Sequence, residues 1–300
     1  MRSRFFIPLR SQLLVALAAA TVLFAHQALF AATPPDAPIF KRVVVVGASA
    51  SAGYTILRGP GAPTGDQLRL SRYVDAALLS PHEPVKSVAD LLMFLAPERS
   101  GQREISNAVA MQPSLIVGVD FLFWFCYGEL GANETRTARL ESGLKLLESV
   151  TCPIVIGNIP DASGADKDML SPEAIPTRAE MDAANRRIKE WAAKHKNVVV
   201  FDLAKDMAQA ASDRALTVHG NKWPAGNTRA LLQDDGLHPM PAGCSMLTVA
   251  ALDALCAADQ KVPKKAVGWD AETIRKAALA ASAAQPKPWQ GFTTSAPRPL

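Results

Sequence analysis

The sequence predicts an α/β protein built on a parallel sheet with helices on both faces. Three observations lead there. Short runs that are apolar at every position and rich in valine and isoleucine recur along the chain. Between them lie stretches whose apolar residues return every three or four positions. The two kinds of segment alternate. A run with no polar face suits a strand covered on both sides, as in a parallel sheet. Helices placed between such strands supply the crossovers that a parallel sheet requires.

Taken in order, the first strand is residues 43–46, four valines stopped by Gly47. Leu68, Val74, Ala77 and Leu78 mark the next stretch, which is helical. Ile105, Ala108 and Val109 mark a second, which ends before Pro113 because proline cannot continue a helix. Residues 115–119 form the next strand. Leu140, Leu144 and Leu147 then recur at helical spacing, and 153–157 is a third strand. Thr177 followed by Glu180 is a capping box, opening a helix whose apolar stripe is Met181, Ala184, Ile188 and Trp191. Residues 198–201 are a fourth strand. A last core helix starts near Gly243 and carries Leu247, Ala251 and Leu255.

The segment ahead of the first strand has a different character. Arg2, Arg4 and Arg10 precede an apolar run over 13–24, and small residues follow at Ala28, Ala31 and Ala32. That order reads as a secretory signal peptide over residues 1–32. The run is shorter than the roughly 20 apolar residues of a membrane span, and His26 and Gln27 interrupt it. The expectation is therefore export to the periplasm or the exterior, with no stable membrane insertion after cleavage. Residues 33–40, rich in proline, read as a linker. Residues 41–260 read as one α/β domain, and 261–300 as a C-terminal helix around 270–284 with a Pro-rich tail.

Composition narrows the function classes. The chain is 49% hydrophobic and 20% charged, enough to bury a sizeable core. Its formal charge of +4 falls to about +1 once the three leader arginines leave. No basic stripe interleaved with aromatics remains, which argues against a nucleic-acid partner. Cys126, Cys152, Cys244 and Cys256 form no CxxC pair, and no Cys/His cluster suggests a metal. In an oxidising compartment one or two disulfides could form, or the thiols could be buried as small apolar groups. Cys244 and Cys256 sit on one expected helix, about 18 Å apart at 1.5 Å per residue, too far to bridge.

Ligands of open parallel sheets sit beyond the carboxyl ends of the strands. The stretch Gly47-Ala48-Ser49-Ala50-Ser51-Ala52-Gly53-Tyr54 comes directly after the first strand. Gly47 permits a sharp turn, and Ser49 then stands at a helix start, where unpaired N–H groups suit a developing oxyanion. A dinucleotide fingerprint would need glycine where Ser49 and Ala52 stand, and a P-loop would need Gly-Lys-Ser/Thr. A plain turn of small residues is the other alternative. Far downstream lies Asp234-Asp235-Gly236-Leu237-His238-Pro239. A serine hydroxyl becomes a nucleophile when a base takes its proton, and the base needs a group to orient it. Asp235 and His238 could supply orienter and base from one constrained loop. Taken singly, the same loop could be a surface turn with both groups solvated.

Together the two blocks resemble the SGNH (GDSL-like) hydrolase family. Gly47-Ala48-Ser49 with Gly53 matches its first block, with Ala48 in place of the family's aspartate. Asp235 to Pro239 matches its last block, Asp-Gly-x-His-Pro. The resemblance spans about residues 41–258. It implies a flavodoxin-like three-layer α/β/α sandwich with a central parallel sheet, and ester hydrolysis by Ser49, His238 and Asp235 without a cofactor or metal. It also implies oxyanion donors: a glycine, for which Gly101 is the candidate, and an asparagine in a Gly-x-Asn-Asp block. At that block the chain reads Val119-Asp120-Phe121 instead, and an ionised Asp120 aimed at the site would repel an oxyanion. Gly131-Ala132-Asn133-Glu134 offers Asn133 as the donor, unless that residue is a helix N-cap.

The substrates so implied are small-molecule, glycan or lipid esters. Phe121, Phe123, Trp124 and Trp223 are expected in the core or along the pocket, and His219 in a loop that could wall the cleft. His82 and His195 read as solvated. The rival reading is a catalytically silent SGNH-like domain that binds glycan or lipid.

Overall fold

A computed structural model of the chain describes residues 37–259 and 261–283. The expected signal peptide, the first part of the linker and the Pro-rich tail lie outside these residues. The centre is a five-stranded sheet made of β1 (Val43–Val45), β2 (Lys86–Ser87), β3 (Leu115–Gly118), β4 (Ile154–Gly157) and β5 (Val198–Phe201). Every pairing is parallel, in the order β2-β1-β3-β4-β5. Val44 stands opposite Ile116, Val117 opposite Val155, and Ile156 opposite Val200.

The strand runs alternate between two cores. Val43, Val45, Leu115, Val117 and Val155 face one layer of helices. Val44, Val46, Ile116, Ile154 and Ile156 face the other. Successive strand side chains point to opposite faces, so a run apolar at both phases needs cover on both sides. The result is the three-layer sandwich expected from the sequence.

Nine helices, among the described residues, connect and cover the strands. They are α1 (Ser49–Ala52), α2 (Gly65–Leu68), α3 (Leu70–Ala77), α4 (Pro97–Ala110), α5 (Arg136–Leu147), α6 (Arg178–Ala192), α7 (Leu203–Ala211), α8 (Pro241–Ala258) and α9 (Ala271–Ala283). The capping box at Thr177 forms: its hydroxyl accepts from the Glu180 N–H, and Glu180 reaches back to the Thr177 N–H. Helix α8 has a mean hydropathy of 1.5, and two thirds of it is buried in the core. Its apolarity serves burial on all sides, which is why it shows little preferred face.

Two boundaries differ from expectation. Ala37 and Phe40, inside the stretch read as linker, are buried in the first core. Helix α9, read as lying beyond the domain, places Ile274 and Ala278 in the same core, against α3 and α8. The i, i+4 spacing of those two residues gives one narrow apolar stripe, enough to dock but faint in an alanine-rich sequence.

Candidate active site

The strand order places a topological switch point between β1 and β3, where chain progression reverses direction. In doubly wound sheets that crevice is where ligands bind. Ser49 stands just past β1 and Asp120 just past β3.

Gly47 adopts φ +140°, and a side chain there would meet Asp120 Oδ1 at 2.2 Å. Glycine is thus required twice, by backbone conformation and by close approach. The single turn α1 comes next and ends at Gly53, in the left-handed region at φ +85°. Ser49 is half-buried at the start of that turn.

The second half of the site is a tight hairpin closed by the antiparallel bridge of Leu232 with Pro239. The Gln233 N–H donates to His238 O at 2.7 Å, and Gly236 turns the chain at φ +71°. Asp235 sits inside the bend, 2% exposed. Its Oδ1 accepts from the Leu237 N–H at 2.9 Å and the His238 N–H at 3.0 Å. Its Oδ2 lies 2.7 Å from His238 Nδ1. Burial pushes this carboxyl up, but the hydrogen bonds from the His238 ring, the His238 N–H and the Leu237 N–H outweigh it. The net direction is below the usual aspartate range, so the carboxylate is ionised and can only accept. Nδ1 must therefore carry a proton, which leaves Nε2 as the acceptor.

That nitrogen lies 2.9 Å from Ser49 Oγ, across 189 residues of sequence. The Tyr54 ring covers the imidazole with centroids 4.4 Å apart, and its hydroxyl reaches the Met169 sulfur at 3.5 Å. Gln233, 1% exposed, ties the two halves together. Its side-chain oxygen accepts from the Ile56 N–H at 3.1 Å, while its amide nitrogen donates to Tyr54 O at 2.9 Å and Pro239 O at 3.1 Å. Beside the serine and histidine is a pocket of about 450 Å³, open mouth included. Val119, Phe123, Leu203, Met207 and Leu247 give it an apolar lining.

The two oxyanion candidates are elsewhere. Gly101 is inside α4, where a side chain would press on Phe125 and Leu146 at 2.9 Å each. It is a packing glycine between helices. Asn133 is exposed in a turn, and the cap of α5 is Thr135, whose hydroxyl accepts from the Ala138 N–H. Neither lines the pocket.

Asp120 does line it, but its oxygens are turned onto the Ser49 turn. They accept from the N–H groups of Ala48, Ala50 and Ser51 and from the Ser51 hydroxyl. Burial nevertheless drives this carboxyl above its ordinary range, against the pull of those bonds. Behind it Glu104, 1% exposed, accepts from the Gly47 N–H at 2.7 Å and the Asp90 N–H at 3.1 Å. Burial, with Asp120 and Asp90 nearby, pushes Glu104 up to about 8. Sequence reasoning missed Glu104. A glutamate on the inner face of an amphipathic helix was the available signal.

The other histidines among the described residues have partners away from the pocket. His82 reaches Ser80 O and Asp75, and His195 reaches Trp191 O. His219 occupies the turn between two short strands, β6 (Leu216–Val218) and β7 (Asn221–Trp223). There it contacts Asp253 at 2.7 Å and stacks on Trp269, so it does not wall the cleft. Trp223 is half-buried against the first core, while Phe121 and Trp124 are buried in the second. All four cysteines are free.

No protein-family model and no curated protein matches the chain. Among solved structures it is similar to a lipase/acylhydrolase from Enterococcus faecalis, at 18% identity and a TM-score of 0.48. That match covers 72% of this chain and 96% of the other. It is also similar to a catalytic mutant of an acetylxylan esterase from Geobacillus stearothermophilus, at 14% identity and a TM-score of 0.43. There the shares are 77% and 99%.

Proposed function

We propose that this chain is an exported serine hydrolase of the SGNH type, cleaving ester bonds through an acyl-enzyme intermediate. The observation that carries the proposal is the continuous relay from Asp235 through His238 to Ser49 Oγ, with contacts of 2.7 and 2.9 Å. Ser49 Oγ attacks the ester carbonyl while His238 Nε2 takes its proton. His238 then hands that proton to the departing alcohol, and the acyl group stays on Ser49. A water, deprotonated by the same nitrogen, releases the acid and restores the serine. Asp235 holds the tautomer and stabilises the imidazolium that forms in each half.

The apolar pocket supports an acyl chain or another apolar ester substituent as the group bound beside the serine. The export half of the proposal rests on the basic, apolar and small-residue order of residues 1–32.

The second reading, a silent binding domain, is favoured by one observation: neither Gly101 nor Asn133 lines the pocket. A fluorophosphonate probe separates the two, because its phosphorus is attacked only by an activated hydroxyl. Labelling of the wild type that disappears in Ser49→Ala, with an unchanged melting temperature, supports the hydrolase. An unlabelled wild type leaves the binding domain.

A further inference from the structure

The five consecutive backbone amides from Gly47 to Ser51 have an unusual set of partners. Gly47 donates to Glu104, and Ala48, Ala50 and Ser51 donate to Asp120, at distances from 2.7 to 3.3 Å. The Ser51 hydroxyl adds a fourth bond to Asp120, at 2.5 Å. Among the described residues, the Ser49 N–H is the amide of this run that no protein acceptor takes. A short helix is ordinarily capped by a side chain next to it in sequence. Here the cap comes from 70 residues away, at the end of the neighbouring strand.

We infer that Asp120 is the positioning residue of the nucleophile turn, holding the backbone on either side of Ser49 so that the Ser49 N–H alone is left for the substrate's carbonyl oxygen. The inference rests on the proposed hydrolase function. The arrangement needs an acceptor at both oxygens. Oδ1 receives Ala48 and Ser51 Oγ, and Oδ2 receives Ala50 and Ser51 N–H, so either orientation of an asparagine amide would set a donor against donors. It also needs Gly47, whose missing side chain is the space Oδ1 occupies. Both Asp120 oxygens are thus spent on the turn, directed at its amides rather than at the reacting oxygen. Asp120 touches no reacting atom. It acts through the geometry of Ser49.

The test is saturation kinetics of fluorophosphonate labelling, which separates reversible probe binding from the maximal rate of bond formation per labelled site. Asp120→Asn should lower the maximal rate about 10- to 100-fold, the cost of misplacing a reacting group by a fraction of an ångström to an ångström. The binding constant should stay within about threefold, since asparagine has nearly the shape of aspartate and the apolar side chains of the pocket are unchanged. Partial unfolding would instead reduce the fraction of sites labelled at an unchanged rate. A folded Asp120→Asn protein that labels as fast as the wild type, or faster, overturns the inference and leaves the hydrolase function standing. If that variant does not fold, Ser51→Ala decides. It removes one of the four bonds and should slow labelling about threefold to tenfold, and a wild-type rate overturns the inference. Failure of the wild type to label overturns both.

Discussion

At the residue scale, the relay depends on which atoms of Asp235 accept. Replacing it with asparagine would put an amide donor where the His238 ring and two backbone N–H groups now converge. The imidazole would then favour the tautomer whose Nε2 carries the proton, the wrong one for taking a proton from Ser49. Asp235→Asn should lower kcat for a short acyl ester by about 10³–10⁴, with a small change in KM, as steady-state kinetics would show.

Two buried acids also set opposite limits to stability. Asp235 is held below its ordinary pKa, so its contribution is present above the unfolded value of about 4 and lost as pH falls through the folded value. Glu104 is raised to about 8, so its contribution is full below about 4.5 and declines as pH rises toward 8. Asp206, raised by burial to about 6, adds to that decline. Melting temperature should therefore peak in mildly acid solution and drop toward pH 8. Glu104→Gln should flatten the upper limb, and an unchanged limb in that variant would contradict the assignment.

At the scale of elements, the site is a joint between two loops, and Gln233 is its fastener. Gln233→Ala would leave the Ile56 N–H and two carbonyls without partners in a buried place. A loss of about 1–3 kcal/mol by chemical denaturation is expected, with a lower kcat. Away from the site, Gly143 in α5 lies so close to the Phe125 ring that an added Cβ would meet it at 2.6 Å. Gly143→Ala should thus destabilise by about 1–3 kcal/mol despite alanine's better helix propensity. Its per-site labelling rate should not change.

The elements that could be read from sequence were those whose burial leaves a pattern. The four valine- and isoleucine-rich strands announced themselves because both faces are covered. The Asp-Gly-x-His loop could be read because orienter and base share one bend. Strand β2 could not, being two residues, Lys86 and Ser87, at the sheet edge. Gly101 misled because a glycine required by helix packing looks like any other in one sequence. In the sequence Asp120 reads as a threat to the oxyanion. Its actual partners are amides of another loop, and no local pattern records a bond across 70 residues.

At the scale of the molecule, helical layers cover both faces of the sheet whose rim carries the two loops. Helix α9 belongs to one of them through Ile274 and Ala278. Ending the chain at residue 270 would uncover α3 and α8, including the neighbourhood of the fully buried Tyr73. We expect a melting temperature lower by several degrees, or loss of soluble protein, measured by thermal unfolding beside the full chain.

The distance in sequence between hydroxyl and imidazole sets when chemistry can begin. A ribosome must make Ser49, the rest of the sheet and helices α2 to α7 before the His238 ring exists. Until then the nascent chain carries an ordinary alcohol, inert toward any acyl group it meets. On the proposed mechanism, reactivity is thus a late product of synthesis, switched on by completion of the fold, and a prematurely terminated chain lacking the last loop would be chemically silent.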